Sequence, residues 1–159
     1  MIEFSGYLSG NAEKFFWTYS RRLTLKILFS VLIGIFLPTI LVIAVNTKYW
    51  ELLLWYAVSC TGIYLATFIP QSRKYKENLT PKKITLDDTV VTCYTKKAVE
   101  SKLIIDAKYV ADYGDFYFIV FPFGNISDKF VCQKNLITKG TIEEFEILFE
   151  DKIVRKINN

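Results

Sequence analysis

The sequence predicts a membrane α-helical hairpin joined to a small domain of the α+β class. Two observations predict this division. Residues 23–69 contain two long apolar runs and only three charged residues, Lys26, Lys48 and Glu51. Residues 84–159 have the charge density of a soluble domain, and their short β-like runs are followed by an amphipathic helix. A chain of 159 residues is long enough for one small domain and a membrane segment.

The two apolar runs have the length of membrane spans. Ile27 to Val45 form a run of nineteen residues without a charge, and Leu52 to Ile69 form a run of eighteen. Helices of these lengths are about 28 and about 27 Å long, close to the hydrocarbon thickness of a bilayer. Buried helices of a soluble bundle are the alternative, but such helices normally show a polar stripe. We therefore expect two spans, at about 27–45 and 52–69.

Basic residues on both sides of the hairpin predict its orientation. The connector between the spans, residues 46–51, has only six residues, so both chain ends lie on the same side of the membrane. Arg21 and Arg22 precede the first span, and a basic link of residues 70–83 follows the second. The positive-inside rule then places both termini in the cytoplasm. The predicted localisation is the cell membrane, with two spans.

The first 22 residues predict a short strand followed by a juxtamembrane helix. Ile2, Phe4 and Tyr7 are apolar residues among polar ones, and Asn11 is the predicted N-cap of the helix. Because residues 1–8 lie on the same side of the membrane as the C-terminal domain, they can add a strand to the edge of its sheet.

Six short runs rich in β-branched and aromatic residues predict the strands of the C-terminal domain, residues 84–159. Short links with turn residues separate the runs, and links of this length cannot cross over to a parallel neighbour. We therefore expect an antiparallel meander of about six strands. The runs are Lys83–Leu86, Val90–Tyr94, Val99–Ile105, Lys108–Tyr113, Phe116–Phe121 and Lys129–Gln133.

One amphipathic helix is predicted to end the chain. Thr141 and Glu144 have the spacing of a capping box, in which each side chain accepts a hydrogen bond from the other residue's backbone N–H. A small antiparallel sheet or barrel covered by one C-terminal helix is the shape of a pleckstrin-homology-like domain. The apolar stripe of this helix consists of Ile142, Phe145, Phe149, Ile153 and Ile157.

The layout resembles the YcxB-like family of bacterial membrane proteins. The resemblance rests on the opening EFSGYL, the link SRKYK, the segment YVADYGDFYFIVF and the TIEEF start of the last helix. It implies an N-terminal segment, a two-span hairpin and a C-terminal domain of pleckstrin-homology-like type. It implies no catalytic activity and no particular ligand.

The composition excludes several kinds of chemistry. The chain has no histidine, which excludes His-ligated zinc sites and Ser-His-Asp hydrolysis. Cys60, Cys93 and Cys132 are an odd number of cysteines in apolar contexts, which predicts reduced structural thiols. No glycine-rich phosphate loop and no calcium-loop spacing is present. We therefore expect no catalytic residues, no cofactor, no metal site and no enzymatic activity.

The positive charge of the chain is concentrated beside the membrane. Residues 70–83 have a net charge of +4, from five basic residues and Glu77, whereas residues 84–159 have a net charge of −2. Basic residues at this place attract anionic lipid headgroups, although topology signalling accounts for the same charges. The net-negative domain disfavours nucleic-acid binding. The candidate lipid contacts are Arg21, Arg22, Arg73, Lys74, Lys76, Lys82 and Lys83.

Two functional hypotheses follow from these features. The first is a non-enzymatic binding module that holds an unknown protein partner at the inner face of the membrane. The second is a regulatory or structural subunit of a larger membrane assembly, in which the hairpin makes the specific contacts. Lipid is a partner in both hypotheses.

Overall fold

A computed structural model describes residues 1–47, 49–66, 80–122 and 130–156 of the chain. These residues belong to two compact units. We call the first, Met1–Trp17 with Ser72–Asn159, the sheet unit, and the second, Thr18–Gln71, the helical unit.

The helices lie mainly in the N-terminal half of the chain. Three single 3₁₀ turns occur in the sheet unit, at Ile104–Asp106, Lys134–Leu136 and Glu150–Lys152. The other helical elements are α1 (Gly10–Val31), a π-helical turn (Leu32–Phe36), α2 (Leu37–Thr47), α3 (Glu51–Ala66) and α4 (Ile142–Leu148).

Nine strands form two sheets within the described residues. The five-stranded sheet has the order β4-β3-β2-β1-β8, and the four-stranded sheet has the order β7-β6-β5-β9. All pairs are antiparallel except β5 with β9. The strands are β1 (Ile2–Ser5), β2 (Lys83–Leu86), β3 (Val90–Tyr94), β4 (Val99–Leu103), β5 (Tyr109–Asp112), β6 (Phe116–Val120), β7 (Val131–Gln133), β8 (Ile137–Lys139) and β9 (Ile153–Arg155).

One helix in the described part of the chain is long and apolar enough to cross a membrane by its length and composition. It comprises the 38 residues from Gly10 to Thr47 and includes the first predicted span. The second predicted span corresponds to α3, a shorter apolar helix that ends at Ala66. The last three residues of that predicted span, 67–69, lie outside the described residues.

The π-helical turn lies immediately before Pro38. Proline has no backbone N–H, and its ring clashes with the carbonyl group four residues earlier, here that of Gly34. The helix widens at this point, because the N–H of Leu37 donates to the carbonyl oxygen of Leu32, five residues back. Pro38 thus changes the first predicted span by widening one turn without ending the helix.

Alternate residues of both sheets form one hydrophobic core. Ile84 and Val91 come from the five-stranded sheet, and Val110 and Ile119 come from the four-stranded sheet. Helix α4 contributes Phe145 to this core. The ring of Phe145 lies 4.5 Å from the ring of Tyr117, 5.0 Å from that of Phe149 and 5.7 Å from that of Phe4, measured between centroids.

The start of α1 covers the other face of the four-stranded sheet. Phe116 and Phe118 alternate along β6 with the core residues Tyr117 and Ile119, so their side chains point away from the core. The ring of Phe15 lies 5.1 Å from each of these two rings. Strand β6 is therefore covered on both faces, which explains why its sequence is apolar throughout.

Most strand predictions are confirmed. Each of the six predicted runs contains a strand, although residue 129 of the last run lies outside the described residues. The first residues add a strand to the C-terminal sheet, as expected. However, β1 lies between β2 and β8, so it is not an edge strand.

The prediction of a single antiparallel meander is wrong. The strands divide into two sheets, and β9 runs parallel to β5. The argument from short links holds for consecutive strands, but β5 and β9 are separated by three strands and a helix. This separation gives the chain enough length to return in the parallel direction.

The prediction of one C-terminal helix reaching Ile157 is also wrong. Helix α4 ends at Leu148, and β9 begins at Ile153. The backbone N–H and C=O groups of this segment form hydrogen bonds with β5, and not within further helical turns. For example, the N–H of Lys156 donates to the carbonyl oxygen of Asp112 at 2.7 Å. Ile157 lies outside the described residues.

Helices α1 and α4 both begin in the sheet unit, and a capping residue was predicted for each. The predicted capping box of α4 is confirmed, with the Thr141 hydroxyl accepting from the N–H of Glu144. The predicted N-cap of α1 is wrong, because the helix already begins at Gly10 and the Asn11 amide donates to Asp115.

A carboxylate on the outer face of the five-stranded sheet is held between two lysines. The Oε2 atom of Glu3 lies 3.0 Å from the Nζ atom of Lys83 and 3.6 Å from that of Lys139. The Glu3 side chain is only 10% exposed. The hydrogen-bonded Lys83 ammonium, with the charge of Lys139, lowers the pKa of the Glu3 carboxyl group.

We expect Phe145→Ala to lower the free energy of unfolding by about 3–5 kcal/mol, because it removes a fully buried ring from the core. Ile147→Ala is the matched control on the same helix. Its side chain is 72% exposed, so a change within about 0.5 kcal/mol is expected. Denaturant unfolding of the detergent-solubilised chain measures both. Equal losses in the two variants would contradict this description of the core.

We expect the stability of the sheet unit to depend on Glu3 below about pH 4.5. The pKa of Glu3 is lowered in the folded state, so the unfolded state takes up its proton first as the pH falls. The contribution of Glu3 is therefore fully present above this range and is lost as the pH falls through the folded pKa. The melting temperature of Glu3→Gln should fall less steeply with decreasing pH in this range than that of the wild type. Glu150→Gln, which removes an exposed carboxylate, should leave the pH dependence of the melting temperature unchanged. A larger effect of Glu150→Gln than of Glu3→Gln would refute the role given to Glu3.

Candidate functional site

A polar recess of about 420 Å³ lies at the start of α1 in the sheet unit. Three segments contribute to it: the first residues of the helix, the turn between β5 and β6, and the end of β7 with the 3₁₀ turn after it. The lining residues are Ser9, Gly10, Asn11, Gly114, Asp115, Gln133, Lys134 and Asn135.

The turn between β5 and β6 forms one wall of the recess. Gly114 has a φ of +83°, a conformation that other residues rarely adopt. The Oδ1 atom of Asp112 accepts a hydrogen bond from the N–H of Gly114 at 2.8 Å, which closes an Asx turn. Asp115 follows at a fixed position, and its carbonyl oxygen accepts from the N–H of Lys134.

Side-chain hydrogen bonds fix the start of α1 against this wall. Gln133 is only 6% exposed. Its Oε1 atom accepts from the N–H of Ser9 at 2.9 Å, and its Nε2 atom donates to the Ser9 hydroxyl at 3.1 Å. The Nδ2 atom of Asn11 donates to the Oδ2 atom of Asp115 at 2.9 Å. The recess is thus bounded by groups that already hold each other in place.

A network of charged and aromatic groups lies behind the recess. The Nζ atom of Lys134 lies 3.0 Å from the Oδ1 atom of Asp112 and 4.2 Å from the centroid of the Tyr117 ring. The Tyr117 hydroxyl donates to Glu146 at 2.6 Å. Burial and this hydrogen bond raise the pKa of Tyr117 far above its usual range. Tyr117 is therefore neutral at physiological pH and acts as a hydrogen-bond donor.

The arrangement is suited to binding through hydrogen bonds. Asn11 and Asp115 pair with each other, but the amide has a second N–H and the carboxylate has further lone pairs, so both can still bond a ligand. Among the described residues that line the recess, no side chain is purely aliphatic or aromatic. The described part of the chain contains no group of three or more His, Cys, Asp or Glu residues that could hold a metal ion. The expected absence of a metal or cofactor stays a prediction.

Two of the three cysteines have a structural role in the core of the sheet unit. Cys93 and Cys132 are buried in the core, and burial raises the pKa of the Cys132 thiol well above its usual value. A thiol with a raised pKa is a poor nucleophile at neutral pH. The two thiols therefore contribute packing volume to the core.

The structure describes four of the seven predicted lipid-contact residues. Arg21 and Arg22 are exposed residues of α1 in the helical unit. Lys82 is half-buried in the sheet unit, with its Nζ atom 5.7 Å from the centroid of the Tyr7 ring. Lys83 forms the ion pair with Glu3 described above, so its charge is partly neutralised. The other three, Arg73, Lys74 and Lys76, lie outside the described residues.

The sequence did not indicate the recess. The turn at Gly114 and Asp115 was recognisable from its residue types. Ser9 and Gln133, however, are 124 positions apart, and neither belongs to a motif. Only their hydrogen bonds in the folded chain bring them together.

Comparison of the chain with protein-family models, with curated proteins and with solved structures finds no match. Membership of the YcxB-like family therefore stays a prediction from the sequence motifs.

Proposed function

We propose that the protein is a non-enzymatic binding module that a two-span hairpin holds at the inner face of the cell membrane. The observation that carries this proposal is the combination of two units in one chain. The sheet unit has its own hydrophobic core, built from both sheets and α4. The same chain contains a 38-residue helix with the length and composition of a membrane span.

The pairing of β1 with β2 supports an even number of spans. Ile2 lies opposite Leu86, and Ser5 lies opposite Lys83. The two strands come from opposite sides of the apolar segment, yet they belong to the same sheet. A segment that leaves one side of a bilayer and returns to the same side must cross it an even number of times. The pairing of β1 with β2 therefore supports two spans over one, independently of the positive-inside rule.

Contacts within the helical unit support a paired hairpin. The Tyr56 hydroxyl of α3 donates to the carbonyl oxygen of Leu32 at 2.6 Å, and the rings of Phe29 and Tyr64 lie 6.1 Å apart. In hydrocarbon a polar hydroxyl needs such an internal partner. The unit exposes many large apolar side chains, which require cover by lipid or protein. Its exposed residues include Ile33, Ile35, Val42, Leu54 and Val58.

The pleckstrin-homology-like barrel expected from the sequence is retained here as a proposal. Two packed sheets and a helix inserted into the core through Phe145 support it. The added strand β9 after that helix is the main difference from the expected layout.

The polar recess is the proposed binding place of the module. Addition of a partner strand at β4, an outer strand of the five-stranded sheet, is the alternative. Lys102 of β4 lies opposite the core residue Val91 and therefore points inward. Its Nζ atom lies 4.6 Å from the Phe121 ring centroid. Inward-pointing charges on an outer strand disfavour pairing with a further strand, so the recess is preferred.

The orientation is tested by labelling intact cells with a membrane-impermeant maleimide. We expect Thr47→Cys to be labelled and Lys96→Cys to be labelled only after lysis, because the hairpin tip faces outward and the sheet unit faces the cytoplasm. Both variants are made with Cys60→Ser, and the buried Cys93 and Cys132 serve as unreactive internal controls. Labelling of Lys96→Cys in intact cells would overturn the orientation.

The binding place is tested by incorporating a photo-crosslinking residue at three exposed positions. Asn135 lines the recess, Leu54 lies on the hairpin, and Ser101 on β4 probes the alternative of strand addition, so that a discrete partner from Ser101 alone would move the binding place to β4. We expect one discrete crosslinked partner from Asn135 and none from Ser101. A discrete partner from Leu54 alone would reject the binding module and favour the second hypothesis, a subunit whose hairpin makes the specific contacts.

A further inference from the structure

The five-stranded sheet carries opposite charges at its two ends. One end is formed by the start of β2 and the tip of the β3–β4 hairpin, and the other by the β2–β3 turn and the 3₁₀ turn after β4. The first end contains Lys82, Lys83, Lys96 and Lys97. The second contains Asp87, Asp88 and Asp106, together with Lys152, whose ammonium donates to the carbonyl oxygens of Ile104 and Ile105.

Backbone pairing brings three segments together at the lysine-containing end. Lys83 lies opposite Tyr94 across β2 and β3, and Tyr94 lies opposite Val99 across β3 and β4. The N–H of Lys82 donates to the carbonyl oxygen of Tyr94 at 2.8 Å. The N–H of Gly6 donates in turn to the carbonyl oxygen of Lys82 at 2.9 Å, which brings the start of the β1–α1 link to the same end.

The hairpin tip presents its two lysines on an ordered turn. The N–H of Thr95 donates to the carbonyl oxygen of Ala98 at 2.9 Å, and the N–H of Ala98 donates to the Thr95 hydroxyl at 3.0 Å. Lys96 and Lys97, between these residues, are both exposed. Because the turn is held by its own hydrogen bonds, binding through these lysines costs little backbone ordering.

Exposed aromatic and apolar side chains accompany the lysines. Tyr7 is 59% exposed and Val99 is 61% exposed, and Tyr94 is also exposed. Tyrosine and lysine together are typical of the membrane–water interface, where the ring and the aliphatic stem lie among headgroups and the ammonium meets lipid phosphate. Lys83 does not count toward this surface, because its charge is paired with Glu3.

We propose that this end of the five-stranded sheet contacts the anionic headgroups of the bilayer that holds the helical unit. We call it the basic end and define it by Tyr7, Lys82, Tyr94, Lys96, Lys97 and Val99. The inference rests on the proposed function insofar as that function requires a membrane anchor. It adds a second, peripheral attachment of the sheet unit to the same membrane.

Two features favour lipid as the occupant over an acidic protein. In the sequence, Lys82 at the basic end lies thirteen residues after Ile69, the last residue of the apolar segment. Arg73, Lys74 and Lys76 lie between the two in the sequence, and basic residues that follow an apolar segment are typical of attraction to anionic lipid. At the opposite end of the sheet the three aspartates outnumber Lys152, so an anionic surface attracts the basic end and repels the other.

The test uses the full chain reconstituted in phosphatidylcholine vesicles with and without phosphatidylserine. A fluorescent maleimide is attached at Ala98→Cys, at the hairpin tip, or at Thr89→Cys, at the aspartate-containing end, each combined with Cys60→Ser. Nitroxide on the lipid headgroups quenches a dye that lies at the membrane surface. We expect stronger quenching at Ala98→Cys when phosphatidylserine is present, reduced by high salt, and no such difference at Thr89→Cys.

Variants that remove charge identify the lysines that contact the lipid headgroups. Lys96→Gln with Lys97→Gln should lower the ratio of docked to undocked sheet unit about 25-fold, because each lysine near an anionic surface contributes about fivefold. Lys108→Gln with Lys156→Gln removes the same charge from exposed positions flanking strands of the four-stranded sheet and should leave the ratio unchanged. Unfolding curves that match that of the wild type show that each double variant is still folded.

Failure of this inference differs from failure of the proposed function. If the chain floats with the vesicles but quenching at Ala98→Cys is the same with and without phosphatidylserine, the lipid contact is wrong and the anchored module stands. The lipid contact is also wrong if both lysine pairs lower the ratio equally. If the wild-type chain does not float with vesicles at all, the membrane anchor is wrong.

Discussion

The pairing of β1 with β2 is the interaction on which the rest of the structure depends. β1 comes from the first residues of the chain, whereas β2 follows the whole apolar segment. Because β1 also pairs with β8, it links two parts of the five-stranded sheet that would otherwise be separate. It also carries Ile2 and Phe4 into the core. The residues on both sides of the apolar segment therefore fold as one unit.

The start of α1 is built into the same unit. The hydrogen bonds between Ser9 and Gln133 fix where the helix begins, and Phe15 covers the outer face of β6. This arrangement has two consequences. Both faces of β6 are covered, and a polar recess remains where the helix start, the β5–β6 turn and the end of β7 meet.

The lysines of the sheet unit have different roles that their residue type does not reveal. Lys83 neutralises a shielded carboxylate, Lys134 binds Asp112 behind the recess, and Lys102 points inward against aromatic rings. Lys96 and Lys97 are held outward by an ordered turn. The roles of Lys83 and Lys102 follow from the strand register, because shifting a strand by one residue would exchange its inner and outer faces. The roles of Lys96, Lys97 and Lys134 follow from the turns that contain them. Net charge alone therefore describes the surface of this domain poorly.

The sequence by itself determined the elements that depend on neighbouring residues: the apolar hairpin segments, the positions of most strands and the capping box at Thr141. Tertiary structure decided which segments of the chain pair with each other. It placed β1 inside the sheet, turned the expected end of the C-terminal helix into β9, and brought Ser9 to Gln133 across 124 positions. The physical reason is that periodicity and turn chemistry act over a few residues. The choice between helix and strand at Ile153 depended instead on the vacant edge of β5, which no local pattern records.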